Sequence, residues 1–146
     1  ALEAERREVS GDQAGAARIF GALYHGADRV DEGLRWAHAL ALAGDAPAAL
    51  AAIDELHARP GDADPRVDVL EAGLAMYSDS ERARAAAARA VETSRKTGAR
   101  LARARALGID AWMAFSRGAI RSSLLFKSRS RKREKAKFCT SAVQKI

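Results

Sequence analysis

The side chains best suited to chemistry in this sequence are three histidines, one cysteine and a dense set of carboxylates and arginines. His25, His38 and His57 stand too far apart for any two to share a helical face at i, i+4, and Cys139 is remote from all three. A structural or catalytic zinc needs three or four such ligands converging on one point. The histidines are therefore expected to be surface or partly packed residues. No glycine-rich phosphate loop, nucleophile elbow or zinc-protease signature is present in the sequence. The acids and arginines fit solvated helix faces with i, i+4 partners. These residues predict no enzyme, no cofactor and no metal.

The densest charge lies in KSRSRKREKAK, where Lys127, Arg129, Arg131, Lys132, Arg133, Lys135 and Lys137 are all basic. Residues 121–146 carry nine Lys/Arg and one Glu, a net of +8, whereas residues 1–120 carry sixteen Lys/Arg and eighteen Asp/Glu, a net of −2. Those seven side chains are candidates for binding a polyanion such as nucleic acid. The affinity expected is weak, steeply salt-dependent and blind to sequence. Phe138 is the one aromatic residue in the basic half of the tail, so little base stacking is offered.

Composition breaks at the same place. Residues 1–120 hold 33 alanines and one lysine, and residues 121–146 hold two alanines and five lysines. A boundary is expected near residue 118. It separates a helical domain, 1–118, from a disordered or irregular basic tail, 119–146, whose origin as linker, frameshifted end or fusion segment composition leaves open. Ala1 in place of Met suggests a fragment, with the helical domain truncated at both ends. The lone cysteine fits a reducing compartment, and no apolar run is long enough to span a bilayer. A cytoplasmic protein with no membrane partner is expected.

The elements that carry these residues read as consecutive helices. Alanine supplies much of the apolar content, so the core must come from closely packed helices. Asp12 is expected to cap a helix running to about His25, and Asp31 a second through Leu34, Trp36 and Leu40 to Ala43. Gly44 suits the left-handed position beyond that end. Asp45 should cap a third, with Pro47 in its first turn. Asp64-Pro65 opens a fourth. Ser78 and Glu81 have capping-box spacing for a fifth, closed by Gly98 after Thr97. A sixth runs from Ala99 to about Arg117. No segment alternates at period two, so no strand is expected.

A period of 34 residues links these helices. Gly15, Ala49 and Ala83 form one series, Ile19, Ile53 and Ala87 a second, and Ala22, Leu56 and Ala90 a third. Trp36 pairs with Leu70, Leu40 with Leu74 and Gly44 with Ser78. The run Trp36-Ala37, Leu40, Gly44, Ala49, Ile53, Leu56 and Pro60-Gly61 resembles the tetratricopeptide repeat, with Leu56 bulkier and Glu71 more polar than the pattern. The segments GALYHGADRVDEGLRWAHALALAGD, DPRVDVLEAGLA and ARAVETSRKTGARLARARALG are similar to degenerate repeats of bacterial multidomain signalling and transcriptional regulators. The resemblance implies an all-α fold, a right-handed α-solenoid of antiparallel helix pairs.

It also implies a protein-interaction scaffold whose first helix in each unit lines a concave, peptide-binding face. Carried over residue by residue, the candidates are Leu34, Arg35, His38 and Leu42, then Asp68, Val69, Ala72 and Met76. The repeat mode that grips a C-terminal carboxylate needs asparagines, and the sequence has none. Trp112, Met113 and Phe115 fit either core or an uncovered array end, which would permit self-association. Nonspecific nucleic-acid binding through the tail and a purely oligomerising helical segment are the alternative functions.

Overall fold

The computed structural model describes residues 2–27, 29–61 and 63–117. The basic stretch from Lys127 to Lys137, named above for polyanion binding, lies outside the described residues. The described residues are helical and include no strand. Six helices run in order: α1 (Leu2–Ser10), α2 (Gln13–Ala27), α3 (Val30–Leu42), α4 (Ala46–Ala58), α5 (Pro65–Ala75) and α6 (Ser80–Thr97). Residues 100–117 are helical as well. The chain divides into two compact units, Ala1–Asp110 and Ala111–Ile146. Among the described residues, no helix is long and apolar enough to cross a membrane.

Local chemistry sets most of the boundaries. The Gly15 N–H donates to Asp12 Oδ1 at 2.9 Å, and the Ala48 N–H donates to Asp45 Oδ1 at 3.0 Å, so both aspartates cap as expected. Asp64 accepts from the Arg66 N–H at 2.9 Å, with Pro65 in the first turn where its missing N–H costs nothing. Gly98 closes α6 at φ +73°, in the left-handed region, and Gly44 follows α3 at φ +87°.

Two caps differ from expectation. Arg29, without a side-chain cap, precedes α3, and Asp31 lies inside its first turn. There its carboxylate faces the positive end of the helix dipole and pairs with Arg66 at 2.7 Å. For α6 the cap is Asp79, which accepts from the N–H groups of Glu81 and Arg82, and not Ser78. A carboxylate one residue nearer the helix outcompetes the hydroxyl. The helix α1 has no counterpart in the sequence pattern. Only Ala4 is buried on it, and Arg7 ties it together by pairing with Glu3 at 3.0 Å and Asp12 at 2.9 Å.

Each helix from α1 to α6 packs on the next, and α3 also meets α5. Among the described residues, two apolar clusters stand out in the core. Ala4, Ala16, Ala17, Phe20 and Ala39 make one; Tyr24, Ala37, Ala52, Ile53, Leu56 and Val67 make the other. Trp36 and Leu40 pack against both. Small residues allow the helices to come close: a Cβ on Gly33 would lie 2.5 Å from Leu56 Cδ2. Along α6, Ala83, Ala86, Ala87 and Ala90 are buried on one stripe. In the 34-residue series, Gly15, Ala49 and Ala83 are all buried, as are Ile53, Ala87, Leu56 and Ala90, whereas Ala22 is exposed.

In the second unit, residues 111–117 are helical. Trp112 and Phe115 are exposed, with ring centroids 6.1 Å apart, and Met113 is buried.

Candidate interaction groove

The helical periodicity of α5 produces two faces with opposite chemistry. Arg66, Val69, Leu70, Gly73 and Leu74 follow the i, i+3, i+4, i+7, i+8 spacing of one helical stripe. They line an open groove of about 790 Å³. Leu34, Arg35 and His38 of α3 form one wall of it, and residues 99–102 with Arg105 form the other. The leucines have a double role. Leu34, Leu70 and Leu74 back onto the second core cluster and also present their remaining surface to the groove.

The opposite face of α5 carries Asp68 and Glu71, both nearly fully buried. Arg89 of α6 donates from Nε to Asp68 Oδ1 at 2.8 Å and from Nη2 to Glu71 Oε2. Arg82 donates from Nε to Glu71 Oε1 at 2.6 Å and from Nη2 to Asp54 Oδ1 on α4. His57 Nε2, also on α4, lies 2.9 Å from Glu71 Oε2 and 3.8 Å from Asp68 Oδ1. This network ties α4, α5 and α6 together.

The two buried acids respond differently. Burial raises the pKa of Asp68 above its ordinary value, because the Arg89 hydrogen bond and charge do not offset it. Burial acts on Glu71 too, but hydrogen bonds from Arg82 and His57 and the two arginine charges outweigh it and hold the pKa low.

The donor atoms of His57, Asp68 and Glu71 lie within 4.8 Å of one another, a spacing a metal ion accepts. Two guanidinium groups already occupy their lone pairs, so an added cation would meet Arg82 and Arg89 at close range. The cluster reads as an ion-pair network. From sequence, Asp68 is expected on the concave face, Glu71 at a normally small position of the repeat and His57 at the surface or partly packed. The missing signal was the long-range pairing with α6, which no local spacing encodes.

Of the residues expected on a concave face, Leu34, Arg35, His38 and Val69 come together in the groove. Leu42 is exposed near the end of α3 and lies outside the lining. Asp68 and Ala72 are buried on other sides of α5, and Met76 follows the helix as its C-cap. Arg66, Leu70, Gly73 and Leu74 occupy the groove instead. The stripe they form could have been read directly from α5, but the residue-by-residue carry-over from the repeat pattern rotated the helix by about one residue. Arg100, Leu101 and Arg105 were not expected as lining residues.

Electrostatically the lining is one-sided. It contains four arginines and a histidine and no carboxylate. Arg35 pairs with Glu5 at 2.6 Å, and Arg66 pairs with Asp64 at 2.6 Å and Asp31 at 2.7 Å. Arg100 and Arg105 pair with no carboxylate among the described residues.

Comparison with protein-family models, with curated proteins and with solved structures returns no match.

Proposed function

We propose that this chain is a non-catalytic protein-interaction module that holds a segment of a partner protein in the groove between α3, α5 and residues 99–105. The observation that carries this reading is the groove itself. Three helical segments separated in sequence contribute an apolar floor and a polar rim to one concave surface, the form in which proteins hold protruding ligand segments. The lining offers no nucleophile and general base in contact, so it supports binding over catalysis.

The helix pairs α3–α4 and α5–α6 are assigned as tetratricopeptide-like units of a right-handed solenoid, as in the arrays of bacterial regulators. Support comes from the 34-residue series, whose small members Gly15, Ala49 and Ala83 are buried alike, and from the packing of α3 on α5. In such an array the first helices of successive units share one face, and α3, α5 and the start of 100–117 are those helices.

The test is selection of a random peptide display library on the full chain, with Val69→Glu and Leu101→Glu variants as counter-targets. Enrichment of peptides that bind the wild type and lose binding to both variants is expected. No enriched peptide, or binders indifferent to both substitutions, would overturn the reading.

A further inference from the structure

We infer that the occupant of the groove is an acidic amphipathic segment of a partner protein, its apolar side chains on the leucine floor and its carboxylates on Arg100 and Arg105. The inference rests on the proposed binding role of the groove and adds the chemistry of the ligand.

Charge distribution supports this occupant. Residues 1–120 contain slightly more acids than bases, sixteen Lys/Arg against eighteen Asp/Glu. Yet the groove gathers four arginines and excludes every carboxylate from its lining. A near-neutral surface that segregates one sign into a concavity focuses its field there and attracts the opposite sign.

Those arginines are in two different states. Arg35 and Arg66 already hold protein carboxylates at 2.6 Å. Arg100 and Arg105 have none among the described residues, and they stand beside Leu101, an exposed leucine on the same wall. Arginine's planar fork pairs with a carboxylate through two parallel hydrogen bonds. The two residues are about 7.5 Å apart along a helix axis. Carboxylates one turn apart on a helix, or two residues apart on an extended strand, match that spacing within about 2 Å.

Charge and floor chemistry exclude the competing occupants. The segment from residue 121 to 146, with nine basic residues and one acid, has the same sign as the groove and would be repelled from it. Nucleic acid satisfies the arginines but not the floor. Leu34, Val69, Leu70 and Leu74 offer apolar area, and the lining contains no Phe, Tyr or Trp on which a base could stack, His38 being its one aromatic ring. An acidic segment with apolar side chains on its other face satisfies both.

The test uses the full chain and fluorescence anisotropy with three synthetic peptides. Each has leucines at helical amphipathic spacing, with Glu, Gln or Lys at the remaining positions. A fourth probe is a single-stranded oligonucleotide. The Glu peptide is expected to bind at least about tenfold more tightly than the Gln peptide, with a preference that shrinks as salt rises. The double variant R100E/R105E should lose that preference and favour the Lys peptide. Arg103→Glu makes one Arg-to-Glu change, half the charge change of the double variant, on the same helical stretch outside the lining, and should keep the Glu preference. All variants are checked for unchanged helical circular dichroism. Should R100E/R105E lose its helicity, Arg100→Gln and Arg105→Gln singly must each weaken the Glu peptide, and no weakening overturns the inference. Equal affinity for Glu and Gln peptides, both abolished by Val69→Glu, would overturn the acidic occupant and leave the groove reading standing. Failure of every peptide would overturn both. Oligonucleotide binding that falls in R100E/R105E but not in Arg103→Glu, with no Glu-peptide preference, would assign the groove to nucleic acid instead.

Discussion

Arg82 Nε donates to Glu71 Oε1 at 2.6 Å, joining the first turn of α6 to the middle of α5 across a buried interface. Glu71 also receives Arg89 and His57, so one carboxylate holds three donors from two helices. Together with the arginine charges they offset its desolvation. Truncating such a residue removes one acceptor from each arginine in a partly dry environment, leaving Arg89 to Asp68 and Arg82 to Asp54.

Glu71→Ala is therefore expected to destabilise the protein by about 3 kcal/mol in urea or thermal unfolding. Glu92 provides the control. It pairs with Arg95 at 3.1 Å and Lys96 at 3.4 Å, but in solvent. Glu92→Ala should change stability by no more than about 0.5 kcal/mol. Equal effects at the two positions would contradict the buried network.

The same network predicts a pH dependence with opposite signs at its two acids. Glu71 has a folded pKa below its ordinary value of 4.5, so its stabilisation is present above that pH and fades as pH falls through the folded value. Asp68 has a folded pKa above its ordinary 3.8, so its contribution is present below that pH and is lost as pH rises through the folded value. Glu71→Gln should thus be destabilising at neutral pH, with the difference from wild type shrinking below about pH 4. Asp68→Asn should cost less at neutral pH than Glu71→Gln. Urea unfolding at the two pH values checks both, and a Glu71→Gln effect that does not change with pH contradicts the first.

The helix boundaries were legible where a single side chain decides them. Asp12, Asp45, Asp64 and Gly98 act within a few residues of themselves, and their positions follow from local hydrogen bonding and backbone conformation. The helix α1 was not legible because Leu2 and Val9 stay exposed and only Ala4 enters the core, leaving no apolar stripe to read. In the groove, the α3 wall was found through Leu34, Arg35 and His38, whose spacing matches the carried-over pattern. The face of α5 was misassigned because Asp68 is drawn toward Arg89, a partner twenty-one residues later. The burial of a charged residue depends on what arrives from the next helix, and no window on its own helix contains that information.

The cap of α6 discriminates between two readings of the same loop. Asp79 Oδ1 accepts from the N–H groups of Glu81 at 3.1 Å and Arg82 at 2.9 Å. Asp79→Ala should cost about 1 kcal/mol, the usual value for an aspartate cap. Ser78→Ala, which removes only the hydroxyl of the expected capping box, should be nearly neutral. A larger loss at Ser78 than at Asp79 would restore the capping-box assignment.

Two glycines in helix interiors should respond in opposite directions to the same substitution. At Gly33 a new methyl would lie 2.5 Å from Leu56 Cδ2 and 2.9 Å from Tyr24 Cδ2, both on buried side chains with little room to move. Gly33→Ala is expected to cost about 1–3 kcal/mol through overpacking. Replacing Leu56 by Val removes the nearer obstacle, so a double-mutant cycle should show favourable coupling between the two positions. At Gly73 a Cβ would meet nothing within 4 Å, and the residue sits inside α5. Gly73→Ala should stabilise by about 0.5–1 kcal/mol by reducing backbone freedom in the unfolded chain. The methyl would also project into the groove, so weaker peptide binding in a more stable protein is expected there. Thermal unfolding beside peptide anisotropy separates the two effects: stabilisation without loss of affinity would place the ligand away from Gly73.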